Sequence, residues 1–221
     1  DVTLGAGVLS GFIDEDNLHP VSGFSLSALS KPSSGLSVEV QLNQLNEENT
    51  FLSNYFSGAY QTGRSQTNSI NLTTDSKIGD DFNFIAQASK GKTQVDTLSN
   101  SVISNITDVD TSGYSLSLVK NGFTSMNDKV YASFRRPLKV DNGDLTLRTA
   151  NGLNADDSIS FIDQSVSLKS ADSEKVYTLG YSNGNGDDSK TSILVNYRQN
   201  PSHDSSTKDE YQTIAKWSRK F

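Results

Sequence analysis

The chain has no cysteine among its 221 residues. That excludes a disulfide framework, a thiol nucleophile and any cysteine zinc site. Long hydrophobic runs are also missing: no stretch approaches the roughly 18 apolar residues of a membrane helix. Hydrophobic residues make up only 33% of the sequence, little for a protein that must bury a large core. Bases are outnumbered, with 19 Lys and Arg against 26 Asp and Glu; the net charge of -7 argues against a nucleic-acid partner. The two histidines, His19 and His203, sit near prolines in loop-like sequence, and no Gly-x-Ser-x-Gly elbow occurs. No catalytic constellation results, and no enzyme activity is expected. Asp14-Glu15-Asp16-Asn17 reads as a turn and lacks the spacing and the glycine of a calcium loop. Neither a metal nor a cofactor is expected. Asp1-Val2-Thr3 does not begin a charged region followed by an apolar one. The chain therefore reads as one mature domain, residues 1–221, or as the C-terminal part of a longer precursor.

What the chain does have is alternation. Leu36, Val38, Val40 and Leu42 alternate with Ser37, Glu39, Gln41 and Asn43. Phe82, Phe84, Ala86 and Ala88 alternate with Asn83, Ile85, Gln87 and Ser89. Tyr114, Leu116 and Leu118 lie between serines. A period of two puts one set on each face of a β-strand. Asn142-Gly143, Asn151-Gly152 and the Asn183–Asp188 run supply residues suited to hairpin turns. Successive hairpins predict an up-and-down antiparallel sheet of about 12 strands, many about 8–12 residues long. Soluble strands average about 5–6 residues, whereas tilted membrane-spanning strands need about 9–11. Length thus favours a transmembrane β-barrel. The stretch at 93–111 is the least regular, and the pattern within 158–169 changes parity near Asp163-Gln164, which predicts a bulge or a break.

The last eleven residues carry the same signal. Tyr211, Thr213, Ala215, Trp217, Arg219 and Phe221 alternate with Gln212, Ile214, Lys216, Ser218 and Lys220. An alternating, aromatic strand ending on Phe resembles the closing strand of bacterial outer-membrane β-barrels. There it is the signal read by the barrel-insertion machinery, which makes Tyr211, Trp217 and Phe221 the candidate signal residues. The last strand of a soluble β-sandwich would alternate too.

From residue 112 the features become more specific. Asp128–Leu147 contains Phe134-Arg-Arg-Pro-Leu-Lys-Val140 followed by Gly143 and a Leu-rich strand. Arg198-Gln-Asn-Pro-Ser-His203 follows, and Trp217 stands four residues before Phe221. Over residues 112–221 the chain resembles the C-terminal translocator barrel of bacterial subtilisin-like autotransporters. That family has Arg-x-x-Pro-Gly-His where this chain has Ser202 in place of the glycine. The resemblance implies a domain in the bacterial outer membrane that holds or passes an N-terminal passenger. Its expected partners are outer-membrane lipid and lipopolysaccharide, the insertion machinery and the passenger itself.

Two sets of side chains then invite a role. Tyr177, Tyr181, Tyr197, Tyr211 and Trp217 near strand ends suit an aromatic girdle at the headgroups, or ordinary sheet aromatics. Arg135, Arg136, Arg148 and Arg198 suit lumen charges paired with acids such as Asp144 and Asp163, or solvated strand ends. Other readings are a stand-alone outer-membrane channel or adhesin barrel, and a soluble β-sandwich binding module.

Overall fold

The computed structural model describes residues 1–12, 20–51, 54–185 and 189–219. The acidic turn Asp14–Asn17, His19 and Phe221 lie outside the described residues. Fifteen strands run in order: β1 (Val2–Phe12), β2 (Pro20–Ser33), β3 (Leu36–Glu48), β4 (Thr50–Phe51), β5 (Asn54–Tyr55), β6 (Thr62–Ile78), β7 (Phe82–Thr97), β8 (Ile103–Ile106), β9 (Val109–Asn121), β10 (Asp128–Asn142), β11 (Asp144–Leu153), β12 (Ile159–Ser167), β13 (Lys175–Asn185), β14 (Ser189–Gln199) and β15 (Glu210–Arg219). No α-helix occurs among the described residues.

Ten of these strands form one sheet in the order β1-β2-β3-β6-β7-β9-β10-β13-β14-β15. Sequence order is kept throughout, and every neighbouring pair is antiparallel. This is an all-β up-and-down sheet, as the alternation predicts. Among the described residues no closure is seen: β1 and β15 are its edges and do not pair with each other. β6 and β7, of 17 and 16 residues, exceed the expected length.

The connections are one-sided. At one end β2–β3 turns on Ser34-Gly35, β6–β7 on residues 79–81 and β9–β10 on residues 122–127. Gly79 takes φ +67°, a conformation its missing side chain allows at low cost. Both described chain ends lie at this same end. Everything larger is inserted at the other end: the β4–β5 hairpin, β8, and the β11–β12 hairpin. There β12, β11 and β8 make a separate three-stranded sheet. The buried apolar cluster is there too: Phe51, Ile103, Ile106 and Val109, with Val140, Leu145 and Leu147 packed against them.

Three further stretches lie outside the main sheet. Residues 50–62 become the β4–β5 hairpin and a 3-10 turn; 144–149 and 158–169 become β11 and β12. The sheet has ten strands rather than about 12 because Phe51, Phe56, Leu145, Leu147 and Leu168 turn into the end cluster. The bulge expected near Asp163-Gln164 is also misplaced. Register there is unbroken, and the shift falls on the facing strand between Ala150 and Gly152. Asn151-Gly152 is thus part of a strand irregularity, not a hairpin turn. Ile159 and Phe161 stand exposed on the outer half of this hairpin, while the inner half meets the cluster through Leu145 and Leu147.

The rungs of the main sheet slant. Tyr211, near the start of β15, lies opposite Tyr197, then Tyr177, Phe134 and Leu116. The same rung continues through Ala86, Thr74, Val38 and Ser30 to Val2 at the opposite end of β1. Crossing ten strands shifts the rung by nearly a whole strand length, the stagger that tilted strands require.

Glycines on one face fit that slant. Gly5, Gly7, Gly23, Gly91, Gly113 and Gly180 all lie opposite the large apolar side chains. A Cβ at Gly23 would come within 2.5 Å of the Gln44 carbonyl oxygen, and one at Gly91 within 2.7 Å of the Thr111 hydroxyl. At Gly180 the Tyr131 ring of the facing strand occupies the space. Small residues on one face and rings on the other make a sheet curl toward the small side. We expect Gly180→Val to push the Tyr131 ring off its seat and cost about 1–3 kcal/mol, read as a lower urea midpoint. An unchanged midpoint would show that the ring swings away freely.

Candidate functional site

The register sorts side chains of the main sheet into two unlike faces. On the first, Leu4 faces Ala28, Leu26 faces Leu42, and Val40 faces Leu72. It continues with Phe84 facing Leu118, Ala132 facing Leu179, and Leu179 facing Val195. Apolar side chains thus run across all ten strands without a break. They are not covered: Val8 is 90% exposed and Leu179 60%. No second sheet lies over this belt among the described residues; the three-stranded sheet packs only at the end.

Rings mark the margins of the belt. Toward the long-connection end, Tyr114, Phe134, Tyr177, Tyr197 and Tyr211 form a continuous row over five strands. Its centroid spacings are 5.8, 5.1, 5.9 and 4.9 Å. Such ring pairs add about 0.5–1.5 kcal/mol each beyond burial. Toward the short-turn end stand Phe82, Tyr181 and Trp217, with Lys120 over the Phe82 ring at 5.3 Å. On β15, Tyr211 and Trp217 bracket Thr213 and Ala215. Six residues separate the two rings along the strand, about 20 Å at roughly 3.3 Å each.

The second face is polar and hydrogen-bonding. Asn43 donates to the Ser69 hydroxyl at 3.4 Å, and Ser115 to the Gln87 amide oxygen at 3.1 Å. Thr178 donates to the Asn196 amide oxygen at 2.7 Å, and Asn196 in turn to Gln212 at 3.1 Å. Two depressions cup this face. One, of about 420 Å³, reaches from Gln41 on β3 to Arg135 on β10. The other, of about 400 Å³, reaches from Ser115 on β9 to Gln212 on β15. Each spans strands four places apart, about 19 Å on a flat sheet at roughly 4.8 Å per strand.

The four arginines separate. Arg135 stands on the polar face between the two depressions, with no ion pair among the described residues. Arg198 is also on that face, held by Glu174 at 3.0 Å and Glu210 at 2.7 Å. Arg136 does not reach the interior. Its neighbour Arg135 takes the polar face, so the pleat sends Arg136 to the apolar side, where it lies 4.8 Å over the Tyr114 ring. Arg148 is outside the main sheet, on β11, and pairs with Asp163 at 3.2 Å on an exposed hairpin.

At the rim, the Arg198–His203 segment is a clamp. Asn200, Ser202 and His203 all have positive φ, at 50°, 58° and 61°. Glu174, buried beneath them, accepts the Ser202 N–H at 2.9 Å and the Arg198 guanidinium at 3.0 Å. His203 Nδ1 accepts the Glu174 N–H at 2.9 Å, which leaves Nε2 to donate to the Leu138 carbonyl at 3.0 Å. One imidazole thereby ties β10 to the start of β13 and the end of β14. Glu174 was not singled out from the sequence; its only signal is its place one residue before a strand. Phe221 lies outside the described residues, so the terminal signal is represented here by Tyr211 and Trp217.

No protein-family model, curated protein or solved structure matches this chain.

Two substitutions probe the clamp in opposite directions. Glu174→Ala leaves the Ser202 N–H and the Arg198 guanidinium without their acceptor and should cost about 2 kcal/mol. Ser202→Gly removes a side chain from a left-handed position and should add about 1 kcal/mol. Denaturant midpoints measure both, and a Ser202→Gly midpoint below wild type would refute the strain argument.

Proposed function

We propose that the chain is a transmembrane β-barrel of the bacterial outer membrane that anchors or translocates an N-terminal passenger. The observation that carries the membrane reading is the unbroken apolar belt on the outer face of the sheet. A soluble protein rarely leaves so large an apolar surface in water. Lipid covers it at no cost, and ring rows at both margins suit the headgroup levels. The one-sided connections fit as well, with short turns to the periplasm and longer excursions outside.

In this reading β1 and β15 close the sheet. They run antiparallel, and their number in the sheet is even. Within lipid an unpaired edge is not tolerated, because every open N–H and C=O costs several kcal/mol. β1 carries no charge, proline or bulge to protect its edge, as a solvent-exposed edge strand should. The rung slant supplies the stagger that closure needs.

Function then follows from the polar interior. Its amides, hydroxyls and few charges suit a hydrated conduit or a seat for an extended passenger segment. The autotransporter resemblance of residues 112–221 favours the passenger. A stand-alone channel or adhesin barrel shares the same geometry, and planar-bilayer conductance separates an open pore from a filled one. The soluble β-sandwich finds no support, since no facing sheet covers the belt among the described residues.

The chain should fractionate with outer membranes and show heat-modifiable gel mobility. Leu179→Arg, in mid-belt, should destabilise the bilayer-folded chain by about 2–4 kcal/mol, while Ser117→Arg on the inner face should cost much less. Equal costs would contradict the assignment of the faces. For closure, Ala6→Cys combined with Ala215→Cys or Trp217→Cys should form a disulfide in the folded chain. Absence of any cross-link, with folding intact, would mean an open seam.

A further inference from the structure

At one place in the belt apolar side chains run directly into a cluster of cations. The rung through Leu26, Leu42 and Ile70 continues to Lys90 on β7, then Ser112 on β9 and Lys139 on β10. The apolar end of this rung floors a depression of about 630 Å³, also lined by Phe24, with Lys90 and Lys92 on its margin. Because the rungs climb toward β15, the cationic end lies higher, on the long-connection side of the belt.

Around Ser112 the charges converge. Arg136 donates to its hydroxyl at 2.6 Å from β10, while Lys90 stands opposite it on β7. Ser112 also bonds Asp141, which lies 3.9 Å from Lys139. Asp108 holds Lys92 at 2.7 Å, and Asp110 sits across from Lys92. Three acids thus attend Lys92 and Lys139. Lys90 has no ion pair among the described residues. Arg136 has none either, and its Nε is buried with no hydrogen-bond partner. A guanidinium edge on the membrane face, stacked on Tyr114 and short of one acceptor, asks for an anion.

We propose that this is a site for a phosphorylated lipid of the outer leaflet. Its phosphate is held by Lys90 and Arg136, and an acyl chain lies in the depression beside Leu42 and Ile70. A lipid is the source of the phosphate because the cations sit at the margin of an apolar surface, beside the end of the Tyr114 ring row. A soluble phosphate would gain nothing from the apolar floor. The proposal rests on the membrane reading above.

The test uses the full chain folded into nanodiscs containing either bisphosphorylated lipid A or the same lipid dephosphorylated. Native mass spectrometry then reads the lipid retained after detergent transfer. Wild type should retain the phosphorylated lipid roughly tenfold better than its dephosphorylated form. The Lys90→Gln/Arg136→Gln variant should lose that preference, whereas Lys120→Gln, at the opposite margin of the belt, should keep it. Equal retention of the two lipids by an inserted, folded wild type overturns the proposal alone. So does displacement of the lipid by excess inorganic phosphate, which would make this a soluble-anion site. A chain that does not enter nanodiscs overturns the membrane reading and the proposal with it.

Discussion

The fold depends on one constraint: a period of two, kept in step across ten strands. Side chains alternate between faces, so a slip of one residue in any pair would exchange the two faces from that strand onward. Only β6–β7 and β2–β3 near their ends, and β10 against β9, show shifts. At β10 the shift follows Arg136 and admits Pro137 and Leu138 above the belt, where a proline removes no hydrogen bond from the apolar zone. The other shifts lie at strand ends, and the β10 bulge keeps the faces sorted on both of its sides, with Arg136 and Lys139 both on the apolar face.

Curvature follows from the same sorting. The polar face is built mainly of Ser, Thr, Asn, Gln and Gly, and the apolar face mainly of Leu, Val, Ala, Phe and Tyr. Tyr131 shows how closely the inner side is fitted: it fills the gap left by Gly180, so a small residue and a ring on neighbouring strands act as one unit. A sheet biased in this way cannot lie flat. Such a bias favours a sheet cupped toward its hydrogen-bonding face, with the apolar belt on the convex side. The main sheet thus has no conventional core. The small buried cluster lies beyond its rim, where Phe51, Ile103 and Val109 fix the inserted strands.

Much of this was legible because alternation is a local property. Leu36–Asn43 and Phe82–Ser89 announce their faces within eight residues. Pairing is not local, which is why the number of strands in the sheet was overcounted. β11 and β12 alternate as well as their neighbours, and only the destination of Leu145 and Leu147 takes them out of the sheet. The arginines divide on the same ground. Adjacent residues on a strand must face opposite ways, so Arg135 and Arg136 never shared an interior. Glu174 has only its place before β13 to mark it, since its role is set by a loop that returns from Asn200–His203, 26 to 29 residues later.

That loop also explains what the Arg-x-x-Pro-x-His pattern does in this chain. Its charged and aromatic members suggest chemistry, yet each is consumed by structure: Arg198 by Glu174 and Glu210, His203 by the Glu174 N–H and the Leu138 carbonyl. Pro201 is buried and starts the tight turn. The turn forces Ser202 into a left-handed conformation that glycine would accept more readily, and the hydrogen bond from its N–H to Glu174 holds it there. A residue type that looks catalytic in sequence is here a fastener. It ties the ends of three strands together at the rim, where the sheet loses its ladder and the longer excursions begin.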